Sequence, residues 1–398
     1  MKALFYLAVF IVFVKEIIVP IVFVIAVPRL VPKLINGSIS VGWARVTITG
    51  ELVLKDIVVR TREGNATAFF KADRLGLDVN FLSLAKGEFV FSNLLIDKGR
   101  FILECGADGK WNFTEFFEHG PGTSAVPHIK FGDFPLEQVR LKESDVVFRK
   151  INADGAATEI SAVNLCGTLR KEGGTIFLQD MLEGECAGGK LTVTDVRITP
   201  GDRTSVYFQI NADKSRIEEL IKTTPLRGRE LSGSLTAFLT ITRNEETGFI
   251  PAGSGYFDIC DAKIWSLPFF LSILNVLDFA LPGSAAVDEA RMKYNISNGS
   301  FEITEMAFLS HAISLIGEGS MDLNGKNLDM VFVHRFGKEG FGQLPIFGGA
   351  VQGLLDFVQG NINQIEVSGT FSEPQVHLVP LKIITKPVMT IHDLFSGD

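Results

Sequence analysis

Apolar and polar positions follow two different patterns along this chain of 398 residues. Residues 3–28 are almost all apolar, whereas the chain after residue 29 mostly alternates apolar and polar side chains. An apolar run of about 26 residues is long enough to span a bilayer with some tilt. Alternation with a period of two is typical of antiparallel strands that have one face covered or filled. The pattern therefore predicts a membrane-spanning segment followed by an extended β structure.

The predicted membrane segment, residues 1–28, contains a charged pair, Lys15 and Glu16, near its middle. A charge at mid-membrane costs roughly 2.5–3.5 kcal/mol on insertion scales. Two explanations stay open: the pair docks to a membrane partner, or its opposite charges neutralise each other locally. A cleaved signal peptide is disfavoured, because residues 25–28 lack a small-x-small cleavage pattern. We therefore expect an uncleaved anchor, and the basic residues that follow it weakly favour a cytoplasmic body.

Several runs of alternating apolar residues would place their side chains on one face of the predicted sheet. Dipeptides between the runs, such as Asp108-Gly109 and Asn298-Gly299, favour tight hairpin turns. The predicted topology is therefore mostly a meander of antiparallel hairpins. The positions that we expect to line its apolar face are Val46, Ile48, Leu52, Leu54, Phe89, Phe91, Ile96, Phe101, Leu103, Phe208, Leu239, Phe301, Ile303 and Phe332.

A few helices are expected to interrupt the strands. Two of them, residues 267–279 and 344–358, are strongly apolar and begin with a Leu-Pro pair. Shorter helices are predicted over residues 112–118 and 214–222. We favour the interpretation in which the apolar helices cover a core over one in which they lie on a membrane surface. The loosest stretch, residues 119–127, is predicted to separate an N-terminal part from the rest.

Composition narrows the classes of protein to which the chain can belong. A net charge of −8, without a Lys/Arg run longer than two, argues against a nucleic-acid partner. The 33 Phe residues fit either a well-filled core or an apolar groove that holds lipid. The four cysteines form no C-x-x-C motif, so a zinc site is not expected. Cys166 and Cys186 are interpreted as free thiols, and a disulfide between them is the less favoured alternative.

The sequence shows none of the familiar catalytic motifs. It contains no G-x-S-x-G, no Walker A element and no H-E-x-x-H, and no pair of carboxylates stands out. His334 and His377 lie in predicted strands, where a satisfied structural histidine is the favoured interpretation over a ligand. Glycines at 253–255 and 317–319 lie in strand context and predict β-bulges. We therefore expect a non-enzymatic protein that needs no metal and no cofactor.

Four segments together resemble a known family. The sequence DGKWN of Asp108–Asn112 follows a predicted strand pair and resembles the D-G-x-W-N element of the AsmA-like family of bacterial envelope proteins. GELVLKDI of Gly50–Ile57 is similar to that family's first hairpin after the anchor. VSGTFSEP of Val367–Pro374 resembles its closing element, and Gly253–Gly319 is similar to its C-terminal region. Each match is weak alone, but their order behind an apolar anchor makes the resemblance fairly specific.

The resemblance implies a single-span inner-membrane protein with its body in the periplasm, which overrides the weak charge argument on orientation. The body would be mostly β: a long twisted antiparallel β-sheet curled into an apolar trough, with a few amphipathic helices. It would hold or conduct phospholipid for outer-membrane lipid supply and integrity, as in the related bridge-like lipid transfer proteins. No catalytic residue is implied. The implied regions are a transmembrane anchor (1–28), an N-terminal β region (29–120), a middle β region (121–250), a C-terminal β region with helices (251–380) and a tail (381–398).

Acyl chains suit an apolar trough, because each buried CH₂ contributes roughly 0.8 kcal/mol. About 20 strands at a spacing of ~4.8 Å would make a sheet of the order of 100 Å. We do not expect that length to bridge a periplasm alone. The protein would need an inner-membrane or outer-membrane protein partner, self-assembly, or a role other than a full bridge. The alternative function is a non-enzymatic assembly or scaffolding factor for outer-membrane proteins, with a closed core instead of an open trough.

Overall fold

The computed structural model describes most of the chain after residue 36. The described residues are 21, 24–25, 37–47, 51–61, 68–79, 91–108, 110–112, 136–151, 155–199, 204–224, 227, 230–248, 250–264, 267–278, 287–310, 313–322, 327–336, 363–370 and 373–380. The predicted docking pair Lys15 and Glu16, the predicted helix at 344–358, the loose stretch at 119–127 and the tail lie outside them. Within the described part of the chain, no helix is both long and apolar enough to cross a membrane.

The described residues are mostly β, as the alternation predicts, and eighteen strands belong to one sheet. Their bounds are β1 Gly37–Val46, β2 Glu51–Thr61, β3 Phe70–Val79, β4 Phe91–Cys105, β5 Gln138–Ile151, β6 Ala157–Glu172, β7 Thr175–Leu178, β8 Leu182–Cys186, β9 Gly189–Thr199, β10 Ser205–Arg216, β11 Ser232–Arg243, β12 Ala252–Lys263, β13 Val287–Ser297, β14 Ser300–Leu309, β15 Ile313–Asp322, β16 Leu328–Phe336, β17 Asn363–Gly369 and β18 Pro374–Pro380.

Two helices are described in full between strands, and the chain divides into two compact units. Helix α1 is one turn, Ile217–Leu220, and α2 is Pro268–Val276. Unit 1 comprises Met1–Ala212, Glu219–Arg227 and Arg243–Glu245, and unit 2 comprises Asp213–Glu218, Gly228–Thr242 and Glu246–Asp398.

Unit 1 follows the predicted meander with two exceptions, the first being that β7 and β8 both pair with β6 and with β9. Strands β1 to β4 pair in sequence order and antiparallel, as do β5 with β6 and β8 with β9. Strand β5, however, pairs parallel to β4. Parallel neighbours need a crossover connection of a dozen or more residues, because the chain must return to the same end of the sheet. The predicted loose stretch at 119–127 lies between these two strands and is part of that crossover.

Unit 2 is a meander in which each strand from β11 to β18 pairs antiparallel with the next. Helix α2 connects β12 to β13 and lies inside the predicted helix at 267–279, which is confirmed. It begins with Pro268, whose fixed φ and missing N–H suit the first turn of a helix. The predicted helix at 214–222 begins too early, because Lys214 is still part of β10 and has a φ of 55°.

The alternation in unit 1 slips by one residue near the middle of several strands. In β2, Leu54 and Ile57 are buried whereas Lys55 and Asp56 between them are both exposed. Asp56 has a φ of 53°, in the left-handed region, so two successive side chains point to one face as in a β-bulge. Lys98 in β4 and Glu143 in β5 have the same conformation, with φ of 52° and 47°.

These left-handed residues form a line across neighbouring strands. The registers place Asp56 beside Asp73, Asp73 beside Lys98, and Lys98 beside Glu143. Asn164 in β6, with a φ of 56°, continues the line. We call this line the crease. We call the face of unit 1 that carries most of the buried apolar side chains the inner face, and the opposite face, where Val53, Ile102 and Val147 are also buried, the outer face.

Candidate apolar binding face

The inner face of unit 1 is a continuous apolar surface over β1 to β5. Buried Val46, Leu52, Leu54 and Ile96 belong to one cluster, because cross-strand partners share a face of the sheet. Val24, from the predicted anchor, packs against the same cluster. The rings of Phe70 and Phe101 lie 4.7 Å apart on this face.

A second cluster extends the inner face over β6 to β10. Ala162, Leu165 and Leu191 are buried together, and Ile210 of β10 packs against them. Alternation along β10 then places Phe208 on the same face, two residues before Ile210. The inner face therefore carries apolar side chains in every strand of unit 1 from β1 to β10.

This face opens to solvent at one end of β5 and β6. Phe148 and Ile160 are direct cross-strand partners, and they are 47% and 46% exposed. Leu103 of β4 is the partner of Phe148 on its other side. Ala162, one inner-face position further along β6, is only 9% exposed. Apolar side chains at this end are therefore accessible, and we call Leu103, Phe148 and Ile160 the open end.

The structure brings the predicted unit 1 residues together on one face. Val46, Leu52, Leu54, Ile96, Phe101, Leu103 and Phe208 all lie on the inner face. Ile48 and Phe89 lie outside the described residues, and Phe91 is the first residue of β4, opposite Val79, with no described side chain. Sequence reasoning missed Phe148 and Ile160. The alternation of apolar Val146 and Phe148 along β5 would have indicated Phe148.

The predicted residues of unit 2 also share a face, but a helix covers it. Leu239, Phe301, Ile303 and Phe332 lie on the face that α2 contacts. The ring of Phe269 in α2 lies 5.6 Å from that of Phe332, edge to face. Ile303 and Phe332 line a packed core, as we favoured for the apolar helix, whereas Leu239 and Phe301 are only partly buried.

Helix α2 makes a second ring contact with the same face. The ring of Phe270 lies 4.6 Å from that of Phe308. Exposed apolar residues on this face are Phe336 and Leu378. The helix therefore covers this face around Phe308 and Phe332 and leaves Phe336, at the end of β16, exposed.

Charged side chains are distributed unequally between the two faces of unit 1. The outer face carries ion pairs, among them Arg149 with Glu104 at 3.4 Å and with Glu159 at 2.8 Å. The side-chain hydrogen bond to Glu159 raises the pKa of Arg149. The described strand residues of the inner face include no Asp or Glu, and its charged side chains are Lys150 and Lys171, near opposite ends of β5 and β6.

A polar groove of about 510 Å³ follows the crease on the outer face. Asp56, Asp73, Lys98 and Glu143 line it, together with Lys71 and Arg100. Asp145 is a fourth acid in this lining, against three bases, so the groove presents no strong excess of either charge.

The described residues hold no group of three or more His, Cys, Asp or Glu side chains arranged for a metal ion. His334 is a partial exception to the expected satisfied histidine, because its buried Nδ1 has no hydrogen-bond partner. It lies beside Phe336, with ring centroids 5.0 Å apart. Burial lowers its pKa.

Cys166 and Cys186 are free thiols, as favoured. Cys166 is opposite Glu183, and Cys186 is opposite Ala162. Four residues of strand therefore separate the two thiols along the sheet, about 13 Å, which is too far for a disulfide.

The glycines predicted to mark bulges divide into two groups. The register of Gly253 and Gly255 with β13 is regular, so that prediction is wrong for them. A Cβ at Gly255 would clash with the Phe238 carbonyl oxygen and lie 2.7 Å from the Tyr294 hydroxyl oxygen, so close approach of the neighbouring backbone and of that side chain explains the glycine. Gly317 and Gly319 do face a register shift, between Ile303 and Met306 of β14.

Two of the segments that carry the family resemblance are turns that close against their own strands. Asn112 accepts a hydrogen bond at Oδ1 from the Glu104 N–H (3.1 Å) and donates one from Nδ2 to the Ile102 carbonyl (2.7 Å). The closing element forms the β17–β18 hairpin, where the Glu373 N–H donates to the Thr370 Oγ1 at 3.0 Å. Comparison of the chain with protein-family models, curated proteins and solved structures finds no match.

Proposed function

We propose that this chain is a membrane-anchored protein that holds or conducts phospholipid along the apolar inner face of its sheet. In this proposal residues 1–28 span the inner membrane and the body is periplasmic. The sheet is a long, twisted trough, and the protein contributes to outer-membrane lipid supply and integrity. The chemistry is binding and transfer without covalent change, so no catalytic residue and no cofactor is assigned.

The observation that carries the proposal is the open end of the inner face. Large exposed apolar side chains that adjoin one another are costly in water, and contiguous apolar surface marks binding sites for apolar partners. Phe148 and Ile160 adjoin each other, and the apolar face continues from them into Ala162 and Leu165 without an intervening charge. An acyl chain laid on this face buries its CH₂ groups and needs no directional bond.

Unit 2 favours a second candidate function. Helix α2 fills the apolar face there, with Phe269 and Phe270 both buried. A closed core fits the alternative of an assembly or scaffolding factor for outer-membrane proteins. Under that alternative the open end of unit 1 contacts protein, and cross-linking from it would capture a polypeptide and no phospholipid.

The proposal is tested by placing a charge at the open end. Phe148→Asp puts a carboxylate where an acyl chain would lie, so we expect phospholipid bound to the purified full-length chain to fall severalfold. Because Phe148 is already exposed, the change spares the core. The measurement is lipid phosphorus per mole of protein, followed by mass spectrometry of the extracted lipid.

Met181→Asp is the matched control, because Met181 is also 47% exposed but lies between β7 and β8, away from the inner face. Lipid that merely surrounds the anchor contributes equally to both variants. Equal lipid content in the Phe148→Asp and Met181→Asp proteins would refute lipid binding at the inner face.

A further inference from the structure

We propose that the open end binds the head group of an anionic phospholipid, with Lys150 contacting the phosphate. The inference rests on the proposed function and names the lipid class and the residue that selects it. Three observations carry it: the position of Lys150, the absence of carboxylates among the described strand residues of this face, and the gradient of burial that leads to the lysine.

Lys150 lies one inner-face position beyond the exposed apolar pair. Alternation along β5 puts Val146, Phe148 and Lys150 on the same face. Across the sheet, Lys150 is flanked by Cys105 of β4 and Thr158 of β6. Lys150 is exposed and makes no ion pair with any described residue. Its ammonium group is therefore available to a ligand.

Polarity along this end of the face follows the order of groups in a phospholipid. Leu165 is 3% exposed and deeply packed, Ala162 is buried, Ile160 is half exposed, and Thr158 comes next with Lys150 opposite it. Acyl chains match the buried apolar positions, and a phosphate matches the ammonium group at the end. A lysine can bury its stem against Phe148 while its ammonium group stays in water.

The charge of the face selects among head groups. The amine of a zwitterionic ethanolamine head group would pair best with a carboxylate, and the described strand residues of the inner face supply none. A glycerol head group carries no amine, so its phosphate keeps a net negative charge next to Lys150. The geometry therefore favours phosphatidylglycerol over phosphatidylethanolamine.

The test limits the readout to lipid at the open end. Phe148 is replaced by the photoreactive analogue benzoylphenylalanine in the full-length chain, which is incubated with vesicles of equal parts phosphatidylglycerol and phosphatidylethanolamine. The cross-linked lipids are identified by mass spectrometry. We expect phosphatidylglycerol to be enriched over the vesicle composition.

Substitutions at Lys150 then separate charge from structure. Lys150→Glu is expected to lower the captured ratio of phosphatidylglycerol to phosphatidylethanolamine at least about threefold, the scale of one exposed ion pair. Lys150→Arg is expected to keep the ratio. Lys150→Gln is expected to give an intermediate value, and it provides a neutral variant in case Lys150→Glu fails to fold. The control is Lys71→Glu, an equal charge change at an exposed outer-face position.

The outcomes distinguish this inference from the function on which it rests. If lipid is captured but Lys150→Glu and Lys71→Glu give the same ratio, the head-group assignment is wrong and lipid binding stands. If position 148 captures no lipid in any variant, both are wrong.

Discussion

At the scale of single residues, side chains at equivalent positions of the alternation have opposite environments. Phe148 and Phe332 both point to the apolar face of their unit, yet Phe148 is 47% exposed and Phe332 only 1%. The difference comes from α2, whose Phe269 covers Phe332. Which apolar residue can bind a ligand is therefore decided by what covers it.

His334 provides a residue-scale prediction of pH dependence. Burial lowers the pKa of folded His334 below the ordinary value of 6.5, so the unfolded chain binds the proton more readily. The free energy of unfolding is therefore expected to fall as pH drops below about 6.5 and on towards the lower folded pKa. His334→Phe should reduce this loss, measured by urea denaturation at about pH 7.5 and about pH 5.5.

His377→Phe is the control for this prediction, because His377 is an exposed histidine in β18. That variant should keep the wild-type difference in stability between the two pH values. An undiminished loss of stability at low pH in His334→Phe would show that other groups cause it.

At the scale of elements, the one-residue slips in the alternation of unit 1 occur at neighbouring positions of successive strands and have similar residues. Each of β2, β3, β4 and β5 carries one acid and one base side by side where it meets the crease: Lys55-Asp56, Asp73-Arg74, Asp97-Lys98 and Lys142-Glu143. Both members of each pair lie on the outer side, so the apolar inner face continues across the slip. Lys142 reaches Asp97 at 3.7 Å, and Arg74 reaches Glu51 at 3.0 Å.

Asp56 provides the element-scale prediction. Its left-handed φ of 53° is strained for a β-branched side chain, whereas Gly adopts it freely. Asp56→Val is therefore expected to destabilise the protein by about 1–2 kcal/mol relative to Asp56→Gly, which removes the same charge. Urea denaturation of the two variants measures the difference, and equal stabilities would mean that the crease does not require this conformation.

At the scale of the whole molecule, the apolar faces of the two units are covered to different extents. Unit 1 leaves apolar side chains accessible at one end of its inner face, whereas in unit 2 a helix packs on the apolar face and leaves Phe336 and Leu378 exposed beyond it. The proposed lipid site is assigned to the open end of unit 1, and unit 2 is assigned a folded core around Phe308 and Phe332.

Phe270 tests this division of roles. Phe270→Ala removes a buried ring that packs on Phe308, so we expect unit 2 to lose about 3–5 kcal/mol of stability. Lipid captured from position 148 should stay unchanged at a temperature where the variant is folded. Tyr256→Ala, at an exposed aromatic of the same unit, is the control for stability. Loss of captured lipid in folded Phe270→Ala would place part of the lipid site in unit 2.

Local patterns predicted much of this fold, and the exceptions have physical causes. The spacing of Phe269, Phe270 and Ile273 after Leu267-Pro268 predicted α2, because a helix with one apolar stripe must bury it. The predicted helix start at Lys214 was wrong, because a left-handed residue within β10 breaks the alternation without ending the strand. The parallel pairing of β4 and β5 was missed, since pairing partners distant in sequence leave no local pattern.

The sequence by itself determined the β class of the body, the turns, the apolar helix and the set of residues that share one face. Alternation reports these because it follows directly from the geometry of a strand. Only the tertiary structure decided which parts of that face are covered, where it opens beside Lys150, and how the slips align into one crease. Those properties depend on which strands become neighbours and on where a helix docks, and both are set by contacts between residues far apart in the chain.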